Sequence, residues 1–433
     1  MYRTHTILPV LGSPHAIGKP IVACIQHEFQ IPSQRLQSFM SSTETQVIGF
    51  EPILTDDQQA IKQLARDFAE TELLPHVMEW DEAQTFPIDA LQKMAQLGFL
   101  GTLVPTEYGG AGLGATENSI IIEEIARVDP SVALSVAAHN GLCSSHIYRF
   151  ASEEMKQKYL PDLASGKIMG AWGLTEPSAG SDAGGTRTVA VREGDDYIIN
   201  GSKNFITHGT YGDTSVIMAV TDRTKGSQGI SAFILDKSMH GFTASKKENK
   251  TGMRASDTSS LSMVDVRVPA SHRIGEEGDG FHQALQILDG GRISIASLSV
   301  GLAQGAFEAA IKYVQQREQF GKPLAQMQAT QFKLAQMAMK IDAARLLTHR
   351  AATLRDSGLP FGKEASEAKL YASEICVQVS EEAVQLHGGY GYIKEYPVEK
   401  FWRDSKLLTI GEGTSEVQRM VIARHLIREF GNA

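Results

Sequence analysis

The stretch TRTVAVREGDDYIING, residues 186–201, decides how this chain is laid out. β-Branched and aromatic residues fill TRTVAVR and DYIING, and EGDD between them is a turn signal. The Asn200-Gly201 pair reads as a second turn. Further runs of the same kind follow at TSVIMAV (214–220), GISAFIL (229–235) and SLSMVDVRV (260–268). No helical period separates them. A β-domain with antiparallel pairing is therefore expected over 168–275, and a βαβ fold is excluded.

On both sides of this module the period becomes helical. Thr55 and Gln58 have capping-box spacing, and Ile61, Leu64, Ala65 and Phe68 follow on one face, with Pro75 ending or kinking the helix. Helical patterns continue through IDALQKMAQLG, ENSIIIEEIARVD, SVALSVAAHNGL and SEEMKQKYLPDLASG, so 51–167 reads as an α-helical domain. From Phe281 onward a long small-residue-rich helix is followed by helices at 325–357 and 363–387. A shorter one lies near 397–408 and a last one starts at Thr414 or Ser415. Residues 276–433 read as a four-helix bundle. The fold class is α+β, mostly α: an N-terminal helical domain, a middle antiparallel β-domain and a C-terminal four-helix bundle.

Composition bounds the function. The 433 residues are 42% hydrophobic and 21% charged, with a net charge of −9, which is ordinary for a globular chain and argues against a nucleic-acid surface. Cys24, Cys143 and Cys376 are too few and too scattered for a disulfide framework, and no Cys/His cluster suggests a metal. No run reaches the ~18 apolar residues of a membrane span; SVALSVAAHNGLCSSHI is the nearest. Residues 1–50 carry four prolines and no lasting periodicity. They read as a disordered extension of a cytoplasmic protein, or as a transit peptide to the mitochondrial matrix.

Three glycine-rich stretches raise the question of a ligand. GAGLGA (110–115) fits a dinucleotide fingerprint but follows no strand, so a tight turn between helices is expected. WGLTEPSAGSDAGGTRT (172–188) alternates hydroxyls with glycines, as a loop donating to an oxygen-rich ligand would. QLHGGYGYIKEYPVEKFWRDSK (385–406) breaks a helix at Gly388 and Gly389, with His387 as a helix-end residue and Arg403–Asp404 as a structural ion pair. Finally, TIGEGTSEVQR (409–419) sets Glu412 between two glycines just before a helix start.

Six segments together, VPTEYGGAG, WGLTEPSAGSD, NGSKNFITHG, LDGGRI, REQFGKPLAQMQATQFKLA and QLHGGYGYIKEYPVEKFWRDSKLLTIGEGTSEVQR, resemble the acyl-coenzyme A dehydrogenase family from residue 55 to the C-terminus. The resemblance implies bound FAD between the β-domain and the bundle, a homotetramer, and electron-transfer flavoprotein as partner. It implies that Trp172, Leu174, Thr175, Gly180 and Ser181 line the flavin, with Phe205, Ile206 and Thr207 beside its ring. Here Phe stands where Trp is more usual. Arg317, Phe320, Gln328, Gln385, Leu386, Gly388 and Gly389 match contacts to the dinucleotide's pyrophosphate and adenosine, partly across a subunit boundary. Thr414, Ser415 and Glu416 match a further flavin contact. Ser181, Asp289, Arg292 and Gly413 match substrate contacts, with a helix-interior ion pair as the other reading of Asp289.

Glu412 matches the family's base. Taking an acyl α-proton requires a carboxylate stronger than an exposed Glu, which burial beside flavin and thioester would provide. Some members carry the base on the helix of LDGGRI, but Gly290 and Gly291 leave no carboxylate there. The implied reaction is α,β-dehydrogenation of a short-chain or short-branched acyl-coenzyme A to the trans-2-enoyl ester. Glutaryl-specific members of the family place an arginine in the helix after the ARVD segment; the nearest positions here, Val132, Ala133 and Leu134, are apolar, so the resemblance disfavours a dicarboxylic substrate. An oxidase or flavin-dependent monooxygenase on the same fold, with oxygen as acceptor, is the alternative.

Overall fold

The computed structural model describes residues 54–431, so the expectations for residues 1–50 lie outside the described residues. Helix α1 (Asp56–Phe68) starts with the reciprocal capping box read from the sequence: Thr55 Oγ1 accepts from Gln58 N and Gln58 Oε1 accepts from Thr55 N. Its continuation widens into a π-helical turn, Ala69–Leu73, just before Pro75. Then follow α2 (Val77–Ala83), α3 (Ile88–Gln96), α4 (Ala115–Val128), α5 (Pro130–Ala138), a π-helical stretch His139–Ser144, α6 (Ser145–Phe150) and α7 (Glu153–Ala164). GAGLGA is a tight entry into α4, where a Cβ on Gly110 would lie 2.0 Å from the Val104 carbonyl.

The strands are β1 (Gly170–Gly173), β2 (Val189–Glu193), β3 (Asp196–Thr207), β4 (Thr214–Val220), β5 (Ile230–Asp236), β6 (Phe242–Ala244), β7 (Thr258–Pro269) and β8 (Arg273–Ile274). They run β6-β7-β3-β2-β4-β5-β8, with β1 beside β4. EGDD makes the β2–β3 hairpin, with Glu193 opposite Asp196. Two expectations need correction. Asn200-Gly201 is no turn: it lies inside β3 at a register shift, and Asn200 instead clasps Asp265 of β7 through two hydrogen bonds. The sheet is also not wholly antiparallel. β1 pairs with β4 in parallel, because the chain enters the sheet at β1 and leaves it through the long 174–188 loop before returning.

The C-terminal helices are α8 (Gly280–Gln316), α9 (Gln328–Asp356), α10 (Gly362–His387), α11 (Val398–Leu408) and α12 (Ser415–Phe430). A two-residue ribbon, β9 (Glu318–Gln319) with β10 (Lys322–Pro323), joins α8 to α9. α8 is 37 residues, about 55 Å. Its small residues let it lie on the backbone of α4: a Cβ on Gly301 or Gly305 would stand 2.1 Å from the carbonyl of Glu123 or Arg127. Among the described residues α8 is the one helix long and apolar enough to cross a membrane. It is the buried core of the bundle, and the sequence reading had picked out the α5–α6 stretch as nearest to a span instead.

Arg403 and Asp404 do not pair with each other. Arg403 bonds Asp81 and Glu399, at 2.7 Å each. Asp404 takes Lys400 Nζ (2.7 Å) and the Met253 N–H (2.5 Å). Successive helix positions point about 100° apart, so neighbours in sequence serve different partners.

Candidate active site

Glu412 lies in the turn between α11 and α12 with φ +52°, in the left-handed region that favours glycine. Three side chains hold the turn. Lys369, fully buried on α10, donates Nζ to the Gly413 carbonyl (2.7 Å). Gln418 donates Nε2 to the same oxygen (2.9 Å) and to the Glu412 carbonyl (3.2 Å). Thr414 caps α12 by accepting from Val417 N. The Glu412 carboxylate turns inward onto α8, where a Cβ on Gly291 would lie 2.1 Å from Oε2. The glycine is therefore a steric requirement of the carboxylate's position.

Oε2 is sealed from solvent and has no hydrogen-bond partner, although the residue as a whole is partly exposed. Burial raises the carboxyl to about 7, against the pull of Lys369 and then Arg292. Burial likewise lowers Lys369 to about 8, against Glu412. Three more buried polar atoms near this turn lack partners: Arg292 Nε, Ser415 Oγ and Gln418 Oε1. Arg292 Nη1 bonds Asp289 Oδ1 (2.5 Å) and Ser366 Oγ (3.2 Å), so Asp289 is in the helix-interior ion pair that the sequence left open. The Glu412 N–H has no backbone acceptor among the described residues. A buried near-neutral carboxyl with unspent donors around it can take a proton from a bound carbon acid.

The second group of expected residues lies on the β-sheet. Lys203, fully buried on β3, reaches Glu176 Oε1 (2.7 Å) and the Leu174 carbonyl (3.1 Å), while Asn204 N donates to the Thr175 carbonyl (2.8 Å). Glu176 also accepts from Arg187 N and Thr188 N. Burial alone would raise its carboxyl, but Lys203 and these donors hold it low. The Leu174–Thr175 turn is thereby fixed to the strand carrying Phe205, Ile206 and Thr207. Phe205 has φ +59° and is 68% exposed, so a bare aromatic face is presented by a strained backbone. Trp172 donates Nε1 to His146 Nδ1 (3.0 Å), and His146 Nε2 meets Gln283 Oε1 (3.0 Å). Burial lowers His146 to about 4, keeping it neutral and able to accept from the indole. Gly180 and Ser181 are exposed on the loop, with nothing within 4 Å of a Cβ on Gly180.

A third group meets where α8 and α10 end. Arg317, Gln385, Leu386, Gly388 and Gly389 line a cleft of about 570 Å³ with Tyr313, Tyr390 and Ile393. The Arg317 guanidinium lies over the Tyr390 ring, 5.5 Å from its centroid. A Cβ on Gly388 or Gly389 would meet nothing within 4 Å. Phe320, 94% exposed at the ribbon turn, and Gln328, exposed at the start of α9, do not join this cleft. Glu416 is exposed on α12. The exposed ring at Phe205, the glycine-floored cleft with its guanidinium and the partnerless Ser415 hydroxyl fit a dinucleotide with an aromatic head and a pyrophosphate.

Sequence reasoning missed Lys369, Lys203, Glu176 and Gln418. For Lys369 the signal available was a cation between Ala368 and Leu370 on a helix; Lys203, between Ser202 and Asn204, carried no such signal. Charge in such places is rare unless paired.

Comparisons with known proteins agree with the layout. Family models match residues 55–167, 171–266 and 278–427, described as the acyl-CoA dehydrogenase N-terminal, middle and C-terminal domains. A short-chain specific acyl-CoA dehydrogenase of Clostridium acetobutylicum is 48% identical over 375 residues, 87% of this chain and 99% of that protein. Subunit CarC of the caffeyl-CoA reductase-Etf complex of Acetobacterium woodii is 46% identical, over 87% of this chain and 99% of that protein. The solved butyryl-CoA dehydrogenase of Megasphaera elsdenii superposes with a TM-score of 0.86 at 44% identity, covering 88% of this chain and all of that one.

Proposed function

The chain belongs to the acyl-CoA dehydrogenase family, whose members depend on flavin, and from that premise we propose that it desaturates a short-chain or short-branched acyl-coenzyme A to the trans-2-enoyl ester with FAD as its cofactor. The observation that carries this reading is the Glu412 carboxyl, buried, partnerless at Oε2 and raised to about 7.

Glu412 accepts the proton leaving the acyl α-carbon. The Glu412 N–H, without a backbone acceptor, is available to the thioester oxygen, where it would acidify that proton. FAD, when bound, would supply the acceptor for the β-hydride. Phe205, Ile206 and Thr207 would flank its ring, and Trp172, Leu174, Thr175, Gly180, Ser181, Thr414, Ser415 and Glu416 would surround it. Arg317, Phe320, Gln328, Gln385, Leu386, Gly388 and Gly389 would take the pyrophosphate and adenosine. Phe320 and Gln328 stand outside the cleft of their own subunit, so their part requires a second copy, consistent with a homotetramer. Asp289, Arg292, Ser181 and Gly413 would contact substrate. Electron-transfer flavoprotein is the proposed acceptor, by analogy with the relative from an Etf complex.

The test is a panel of acyl-coenzyme A esters with the purified holoprotein and an artificial electron acceptor. Turnover should peak at a short straight or branched chain. Fast peroxide formation from butyryl-coenzyme A in air would refute a dehydrogenase and favour the oxidase alternative.

A further inference from the structure

Trp172, which the reading above places beside the flavin, is held by a chain of hydrogen bonds that the chemistry leaves unused. Its indole Nε1 donates to His146 Nδ1 (3.0 Å). His146 Nε2 meets Gln283 Oε1 (3.0 Å), and Gln283 Nε2 donates to the Ile274 carbonyl (3.2 Å). The chain runs from β1 through α6 and α8 to β8. An indole nitrogen only donates, so Nδ1 is the accepting nitrogen and the imidazole proton sits on Nε2, facing Gln283. Each donor finds one acceptor, and the chain ends on backbone.

The surroundings preserve this direction. His146 and Gln283 are buried. Burial lowers the imidazole most, Gln283 opposes it, and Arg149 lowers it further, so the ring stays neutral. The Phe150 ring meets the imidazole edge-on, 5.5 Å between centroids. Trp172 itself is only half-buried. With Phe150 it packs on the apolar cluster Ala138, Leu142 and Ile287. Leu142 reaches Gly291, its Cδ2 3.2 Å from where a Cβ would be, beside the Glu412 carboxylate. The indole therefore belongs to the apolar wall that leads to the base. A half-buried indole with no acceptor inside the fold gains by turning its N–H out to water, because an unpaired polar group is costly to keep desolvated. His146 removes that gain.

We propose that His146 is a positioning residue for Trp172: as the acceptor inside the fold, with its own proton held by Gln283, it keeps the indole turned towards the flavin. The proposal rests on the flavin reading of this site. A histidine suits the task because one ring nitrogen accepts while the other is tied to a partner, which an aliphatic side chain of similar bulk cannot do.

The experiment follows indole and flavin in the holoenzyme. His146→Leu keeps bulk without an acceptor, and His146→Asn puts Oδ1 in place of Nδ1. Acrylamide quenching of tryptophan emission, taken as the difference from the same protein carrying Trp172→Phe, separates Trp172 from Trp80 and Trp402. In His146→Leu the quenching constant of Trp172 should rise by up to about tenfold, the change in outward population that one lost hydrogen bond allows. The visible flavin band should shift with it, and His146→Asn should restore both. In the Trp172→Phe background, His146→Leu should leave the flavin band where it was. Unchanged quenching and an unchanged band in His146→Leu overturn the proposal. So does an Asn variant as altered as the Leu variant, or a band shift that persists without the indole. Should His146→Leu fail to fold, Gln283→Leu decides. It frees the imidazole to carry its proton on Nδ1, so Trp172 quenching should rise, and an unchanged constant overturns the proposal. A colourless purified protein refutes the flavin reading; the quenching arm then decides the hold on Trp172, and equal quenching in wild type and His146→Leu overturns it.

Discussion

Glu412 combines a backbone conformation that disfavours side chains with a burial that disfavours charge, and both costs point to use. Glu412→Gln should keep flavin and lose at least about a thousandfold in turnover, the upper range of a positioned general base. Retained turnover would move the base elsewhere. Because the carboxylate form must accept the proton, kcat/KM should rise through pH ~7 and fall below it. The stability effect has the opposite sign. A carboxyl whose folded pKa lies above its unfolded value contributes stability below about pH 4.3 and loses it as pH rises through ~7. Glu412→Gln should therefore melt higher than wild type at pH 8, with the gap closing towards pH 5. Lys369 holds the turn and lowers the Glu412 pKa. Lys369→Met should shift the inflection of the pH–rate profile upward by about one unit. An unmoved inflection would reduce Lys369 to packing.

At the scale of elements, glycine placement on α8 decides what can approach it. Gly291→Ala adds helix propensity, up to about 1 kcal/mol, yet its methyl would displace the Glu412 carboxylate. Activity should fall about a hundredfold, as a misplacement of about 1 Å does, with stability unchanged or higher. Full activity would show that the carboxylate is free to lie elsewhere. On the sheet, Lys203 ties β3 to the Leu174–Thr175 turn. Lys203→Met leaves Glu176 a buried carboxylate with only backbone donors, a loss of about 3–5 kcal/mol by denaturant unfolding. The sequence predicted α8 as a helix from its period, but it predicted β3 only as far as an expected turn at Asn200-Gly201, short of Lys203. It did not show that α8 abuts Glu412 or that Lys203 spans a loop, since periodicity assigns faces and not partners.

For the whole molecule, the α8/α10 cleft is lined by Gly388, Gly389 and Arg317, with no carboxylate among its described lining residues. Arg317→Ala should lower the flavin content of purified protein, read as loss of visible absorbance, while the apoprotein keeps its fold. A fully loaded variant would contradict a role in holding the dinucleotide. The exposed ring of Phe320 and the exposed Gln328 contribute nothing to the cleft of their own chain, so occupancy and assembly should fall together on dilution.

The sequence by itself determined the order of helical and strand segments, the cap at Thr55, a last helix start at Thr414 or Ser415, the EGDD hairpin and the singling out of Glu412. Each of these is a local property, set by side-chain period, turn chemistry or a short motif. Only the tertiary structure decided that β1 runs parallel to β4, that Asn200-Gly201 is a strand irregularity, that Arg403 and Asp404 serve different partners, and that Gly291 makes room for the carboxylate. These depend on which surfaces meet across hundreds of residues, and desolvation and close packing are properties of that meeting rather than of any segment alone.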